Sequence, residues 1–321
     1  MKNKTLIAIG EALIDFIPDK RGCKFSEVTA FAPKLGGAPT NVCGAYTRLG
    51  GKSRILTQLG NDPFGHKILE ELNGYGIDTS CVKLTDKANT ALAFVCLEAD
   101  GNRTFSFYRK PSADMLYDAE SVQSEYFDDA YALHFCSVSL GDFPMKEAHR
   151  AAIKEMHSRR GIVSFDPNLR PQLWADPDAM IKTVLEFLPD ADIVKISDEE
   201  IELITGEKEI EKALPKLFIG NVKMVIYTCG KHGAYAYTRS GISAHSDARK
   251  VQVLDTTGAG DGFIGSFLWK LRQLNITLEN IEKITEKELE ECLAFSNEFC
   301  TLSVQKAGAI NSYPRLNDVK I

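Results

Sequence analysis

No stretch of the sequence approaches the roughly 18 consecutive apolar residues that a membrane span requires. The apolar run at residues 6–9 is cut by Glu11 and Asp15 before it could serve as a signal segment, so a soluble, cytosolic protein is expected. Cys-x-x-Cys pairs are absent. The 8 cysteines are scattered over 321 residues, a chain too long to need disulfide staples, and they read as buried thiols in a reducing compartment. A strong charge of either sign is missing too: the net charge is −6, and a mildly acidic surface repels a phosphate backbone or an anionic bilayer. Internal repeats, low-complexity tracts and Pro/Gly/Ser linkers are lacking, which favours a single domain over residues 1–321.

The composition, 44% apolar and 26% charged, is that of a globular chain with a large core. Short apolar runs at residues 6–9, 55–59, 131–136, 162–165, 192–196 and 222–228 alternate with helical periodicities at 39–49, 64–76, 145–159, 176–188, 198–205 and 262–274. That alternation predicts βαβ units, and hence a three-layer α/β/α core around a mostly parallel sheet. Residues 286–304 carry one more long helical pattern. One region departs from the rule. Residues 91–97 and 104–108 flank Asp100-Gly101, a turn dipeptide, with Phe105 and Phe107 on one face; this predicts an antiparallel hairpin that either decorates an edge or covers a site.

The strongest chemical signal is Asp255-Thr256-Thr257-Gly258-Ala259-Gly260-Asp261-Gly262, leading directly into the amphipathic pattern at 262–274. Small residues let a ligand approach the backbone, and unpaired amides at a helix start attract phosphate oxygens. A plain helix cap is the alternative. Two carboxylates so close together are more negative charge than a phosphate site wants, unless one is a base or a cation sits nearby. Other phosphate motifs fail. Gly51-Lys52-Ser53 resembles the end of a Walker A loop, but Tyr46 stands where the first Gly is required and the following residues read as strand. Phe263 occupies the third Gly position of a dinucleotide fingerprint. The second signal is Gly36-Gly37-Ala38-Pro39-Thr40-Asn41: paired glycines permit close approach, and the Asn41 amide both donates and accepts. Asp15 has the chemistry to accept two hydroxyl protons from a sugar diol.

Gly36-Gly37 with Asn41, followed far downstream by the segment from Asp255 to Asp261, resembles the two signatures of the ribokinase-like (PfkB-type) carbohydrate kinases, and the likeness runs along essentially the whole chain. The segments from Phe107 to Leu116 and from Phe165 to Arg170 are similar to the fructokinase branch. The resemblance implies ATP-dependent phosphorylation of fructose with Asp261 as base. The amides of Gly258, Ala259 and Gly260 would hold the phosphoryl group, and Asp15, Gly36, Gly37 and Asn41 the sugar, with Arg109 and Arg170 as further contacts. It also implies a small β-sheet lid formed by segments at about 12–31 and 91–108, and an exposed β face of that sort is expected to pair two copies into a homodimer. Thr228, Gly230 and Gly233 would touch the nucleotide, and Glu200 would act on Mg²⁺ through water. Asp255, Thr257, Ser303, Gly308 and Ser312 match positions whose oxygens hold K⁺. One departure stands out. Ser197 replaces the Asn of the family's Asn-x-x-Glu, and Ser197 with Glu200 also fits a capping box. Another sugar kinase of the same fold (2-keto-3-deoxygluconate kinase or ribokinase) and a catalytically silent sugar or nucleotide sensor are the alternative readings.

Overall fold

The computed structural model describes residues 5–20, 22–97, 103–174 and 176–320. In chain order the strands are β1 Thr5–Ile9, β2 Leu13–Pro18, β3 Phe31–Gly36, β4 Lys52–Leu56, β5 Gln58–Gly60, β6 Lys83–Thr85, β7 Ala91–Leu97, β8 Arg103–Tyr108, β9 Ala130–Cys136, β10 Ile162–Asp166, β11 Ile193–Ser197, β12 Met224–Thr228, β13 Ala234–Thr238 and β14 Ser243–Ser246. The helices are α1 Ala38–Arg48, α2 Pro63–Gly74, α3 Pro144–Ser158, α4 Pro177–Phe187, α5 Ile201–Thr205, α6 Ile210–Leu217, α7 Ala259–Gln273 and α8 Glu286–Ser303.

Eight strands form the central sheet in the order β14-β13-β12-β11-β10-β9-β1-β4, parallel from β12 to β4, with β13 and β14 antiparallel at one edge. Both faces are covered, and the side chains of each strand alternate between two cores. Along β1, Leu6 and Ala8 join the cluster under α1, α7 and α8, while Ile7 and Ile9 join the one under α3 and α4. This is the three-layer arrangement the alternating runs predict. Among the described residues no helix is long and apolar enough to cross a membrane.

A second sheet, ordered β3-β2-β7-β8, stands on the first. Its outer strand β3 is mostly exposed and carries Pro33, which an edge strand tolerates because one side of its ladder is unpaired. Since successive strand residues face opposite ways, Leu13 and Asp15 share one face and Phe16 the other. Leu13, Ala91 and Ala93 make a small apolar cluster on the first face. Phe16 stacks on Phe94 at 4.7 Å on the second, with Phe31 and Tyr108 edge-on to Phe94. The Asp100-Gly101 turn and the Phe105 side chain lie outside the described residues.

The structure corrects three boundaries. The run at 55–59 is two strands: β4 starts at Lys52 and pairs with β1, and after Leu56 the chain leaves the sheet, so that β5 pairs with β6. The polar pair Lys52-Ser53 hid the start of β4; next to it, Arg54 is matched by Asp78 and Asp129 at 2.7 and 3.2 Å. Helix α7 begins at Ala259 instead of 262, and α5 at Ile201 instead of 198. The cysteines are less buried than expected, with Cys23, Cys229 and Cys300 half-buried.

Candidate active site

Strand carboxyl ends gather the candidate residues in one cleft, the position in which open α/β sheets bind ligands. Glu11 follows β1, Asp166 ends β10, Ser197 ends β11 and Thr228 ends β12. Helix α7 points its N-terminus into the same region. Gly258, the residue before its first turn, has φ +71°. A Cβ there would approach the Ala309 Cβ and the Tyr313 hydroxyl to 2.7 Å, and that hydroxyl donates to the Gly258 carbonyl at 2.7 Å. Only glycine combines this left-handed backbone with this contact. No side chain caps the helix. The Ala259 amide donates to the Thr256 carbonyl at 3.1 Å, which corrects the expected trio of free amides. At the start of α7, among the described residues, the N–H groups of Gly258, Gly260 and Asp261 have no protein acceptor.

Asp261 lies in the first turn of α7, and its Oδ2 accepts from Asn41 Nδ2 at 2.9 Å across 220 positions of sequence. The Asp261 carboxyl is pushed up to about 6. Burial is the main cause and the Asp166 charge adds to it, while the Asn41 hydrogen bond and the Arg170 and Lys195 charges oppose it. Asn41 is 5% exposed, and its Oδ1 has no partner. A buried acceptor left open is costly unless something supplies a donor. Two glycines set Asn41 in place. Gly37, at φ +108°, precedes α1, and a Cβ there would meet the Glu11 carbonyl oxygen at 2.5 Å. At Gly36 a Cβ would meet Asp15 Oδ2 at 2.2 Å, so the bare backbone leaves room for the carboxylate above it. Gly36 thus touches Asp15 on β2, and helix α1, which opens at Gly37, carries the Asn41 that reaches Asp261.

Two residues without an assigned role in the sequence lie on its floor. Lys195 Nζ donates to Asp166 Oδ2 at 2.7 Å, and the two side chains are 6% and 1% exposed. Burial disfavours the ammonium, but the charges of Asp166 and Glu200 outweigh it and hold Lys195 charged. A lysine inside the apolar run Ile193-Val194-Lys195-Ile196 was the available signal, because an interior strand position admits a charge only with a partner. Glu200 Oε1 accepts from the Leu169 amide at 2.8 Å, and its Oε2 from the amide and hydroxyl of Ser197 at 3.0 and 2.7 Å. Burial alone would raise its carboxyl; Lys195 and these hydrogen bonds leave it below the usual range. Arg170 is exposed, donates to the Leu169 carbonyl at 2.8 Å, and its charge reaches Asp166 and Asp261.

Arg109 is committed elsewhere than to open cleft. Nε and Nη2 donate to Asp114, Nη1 to the Val138 carbonyl at 3.1 Å, and Nη2 also to the Ser139 hydroxyl at 3.1 Å. Ser139 in turn donates to Glu11 at 2.7 Å, and Glu11 accepts from the Ala38 amide at 3.2 Å. This chain ties the feet of the small sheet to the start of α1. At the far side of the cleft, Thr228 is half-buried and Gly230 open to solvent, with φ +51°. Gly233 has a packing reason of its own, since a Cβ would meet the Ser246 carbonyl oxygen at 2.1 Å. His232, expected at the surface, is exposed. Asp255 accepts from the amide and hydroxyl of Thr257 at 2.9 and 2.6 Å and from the Gly308 amide at 2.9 Å, and Ser303 and Ser312 share a hydrogen bond of 2.7 Å.

A doubly covered parallel sheet with a small sheet above it, and an acid in the first turn of a helix at its carboxyl edge, define the ribokinase-like class. The chain belongs to the pfkB family of carbohydrate kinases, whose domain it matches over residues 3–316. It is 38% identical to fructokinase-1 of Oryza sativa subsp. japonica over 98% of this chain and 95% of that one. Among solved structures it resembles the fructokinase with bound ATP from Xylella fastidiosa, with a TM-score of 0.91 at 32% identity, covering 99% and 97% of the two chains. It also resembles the fructokinase of Vibrio cholerae O395 in a fructose-, ADP- and calcium-bound form, with a TM-score of 0.86 at 30% identity over 99% of each chain.

Proposed function

We propose that the protein is an ATP-dependent fructokinase that converts D-fructose and ATP to D-fructose 6-phosphate and ADP. One observation carries the chemistry: the Asp261 carboxylate, oriented by Asn41 at 2.9 Å, stands beside the unpaired amides that open α7. Phosphoryl transfer needs positioning and neutralisation of spread charge more than covalent help. Asp261 takes the proton of the sugar hydroxyl. The amides of Gly258 and Gly260 face the migrating group, and Asp15, Gly36, Gly37 and Asn41 hold the sugar. The small sheet acts as a lid that keeps water from attacking ATP. Its aromatic face, with Tyr108 64% and Phe25 50% exposed, suits a second copy, and a homodimer joined through the lids is the expected assembly. Light scattering should give about twice the 35.5 kDa chain mass; a monomer at working concentration would remove the dimer from the proposal.

The nucleotide lies along Thr228, Gly230 and Gly233. Mg²⁺ would be carried by the ATP phosphates and met by Glu200 through water. Asp255, Thr257, Ser303 and Ser312 offer side-chain oxygens and Gly308 a carbonyl, a donor set that would suit a hard ion such as K⁺. Cys43, Cys81, Cys136, Cys229, Cys292 and Cys300 are free thiols, in keeping with a cytoplasmic protein.

An assay coupling ADP release to absorbance, run with fructose, ribose, 2-keto-3-deoxygluconate and adenosine, tests the substrate. Fructose should give the highest kcat/KM. Faster turnover of another sugar would assign the chain to a different branch of its family, and fructose binding without ADP release would make it a sensor.

A further inference from the structure

We infer that Lys195 is a phosphoryl-binding residue, aiming its ammonium at the anion held at the start of α7, with Asp166 as its positioning partner. This deepens the kinase reading above and rests on it. A Cβ built on Gly260 would lie 3.3 Å from Lys195 Nζ, so the ammonium sits directly against a residue of the helix start that has no side chain. Its only hydrogen-bond acceptor among the described residues is Asp166, which leaves N–H groups of a nearly fully buried ammonium unspent.

Charge gives the second reason. Asp166, Glu200 and Asp261 converge here, and Lys195 with Arg170 are the cations acting on them. Triphosphate could not enter a cluster of three carboxylates without a fixed cation facing it. A buried ion pair is also a poor way to stabilise a fold, because apolar residues of the same volume usually serve as well. Gly260 supplies the third reason: any side chain there would separate the ammonium from the anion that the neighbouring amides face.

The test compares Lys195→Met with the double variant Lys195→Met/Asp166→Asn, which removes the charge left behind by the single change. Calorimetry with fructose, with ADP and with a non-hydrolysable ATP analogue reads the effect without turnover. In both variants the analogue should bind about tenfold to a hundredfold more weakly, the range of one charge-assisted hydrogen bond, while fructose and ADP keep their affinities to within about twofold. In the steady state kcat should fall by about 10²-fold, as on removal of one preorganised donor, with the KM for fructose unchanged. If the pair is only structural, the double variant regains native melting and native analogue affinity together, and the inference is overturned. An equal loss of ADP affinity would overturn it as well, by moving Lys195 away from the transferred group. Should the native chain prove inactive on fructose, the analogue-against-ADP comparison still decides the role of Lys195, so the two readings fail separately.

Discussion

Asp261→Asn is expected to lower kcat by about 10²–10⁴-fold, the usual contribution of a positioned general base, with sugar and nucleotide affinities near native. The fold should survive, because the new amide oxygen can accept from Asn41 as the carboxylate does and no buried charge is stranded. A near-native kcat would place the base elsewhere. The pH profile adds an independent check. Burial, reinforced by Asp166, raises the Asp261 carboxyl to about 6 in the free protein. The base works only when deprotonated, so kcat/KM should climb as pH rises through about 6 and then level off. Below that it should fall about tenfold per pH unit. In the Asn variant this acid limb should be missing from the residual activity; if it persists, some other group titrates.

The second large effect is expected at Gly36. Alanine there brings a Cβ to 2.2 Å from Asp15 Oδ2 and 2.8 Å from its Cγ, so the carboxylate must swing away. The displaced atoms are the end of a side chain, and the backbone of β2 and β3 need not shift. Losing hydrogen bonds to a charged group costs about 1.5–3 kcal/mol, so the KM for the sugar should rise by about tenfold to a hundredfold. Asp15→Ala should do at least as much. Because both changes remove the same contact, the double variant should be no worse than Asp15→Ala alone. Additive losses in that cycle, or a native KM in Gly36→Ala, would detach Asp15 from the sugar.

Much of this site was legible because it is written in residues that only backbone geometry explains. Gly36, Gly37 and Gly258 stand where a Cβ would collide, and Asp261 follows at a fixed offset in a helix whose apolar face announces itself. The central strands were legible for the same kind of reason: buried on both faces, they read as unbroken apolar runs. What the sequence hid was pairing. Arg54 is an unexplained charge in a strand until Asp78 and Asp129, both remote in sequence, are found against it. Lys195 had no assigned role within the run at 192–196, and only the fold brings Asp166 beside it. Arg109 has the chemistry of a sugar contact, yet four of its five N–H donors go to Asp114, Val138 and Ser139, which local sequence could not reveal. The Ala259 amide is lost to the Thr256 carbonyl, a turn bond that the residue types alone do not specify.

The Tyr313 hydroxyl fastens the Gly258 carbonyl, and the Tyr313 carbonyl accepts from Arg48 at the end of α1 at 2.9 and 3.1 Å. One late residue thus clasps both helices whose beginnings make the cleft. During synthesis, the glycine-rich turn emerges more than fifty residues before the tyrosine that locks it. A chain cut short of residue 313 would keep every strand of the central sheet yet lose the hydroxyl that fastens the Gly258 carbonyl and the carbonyl that receives Arg48.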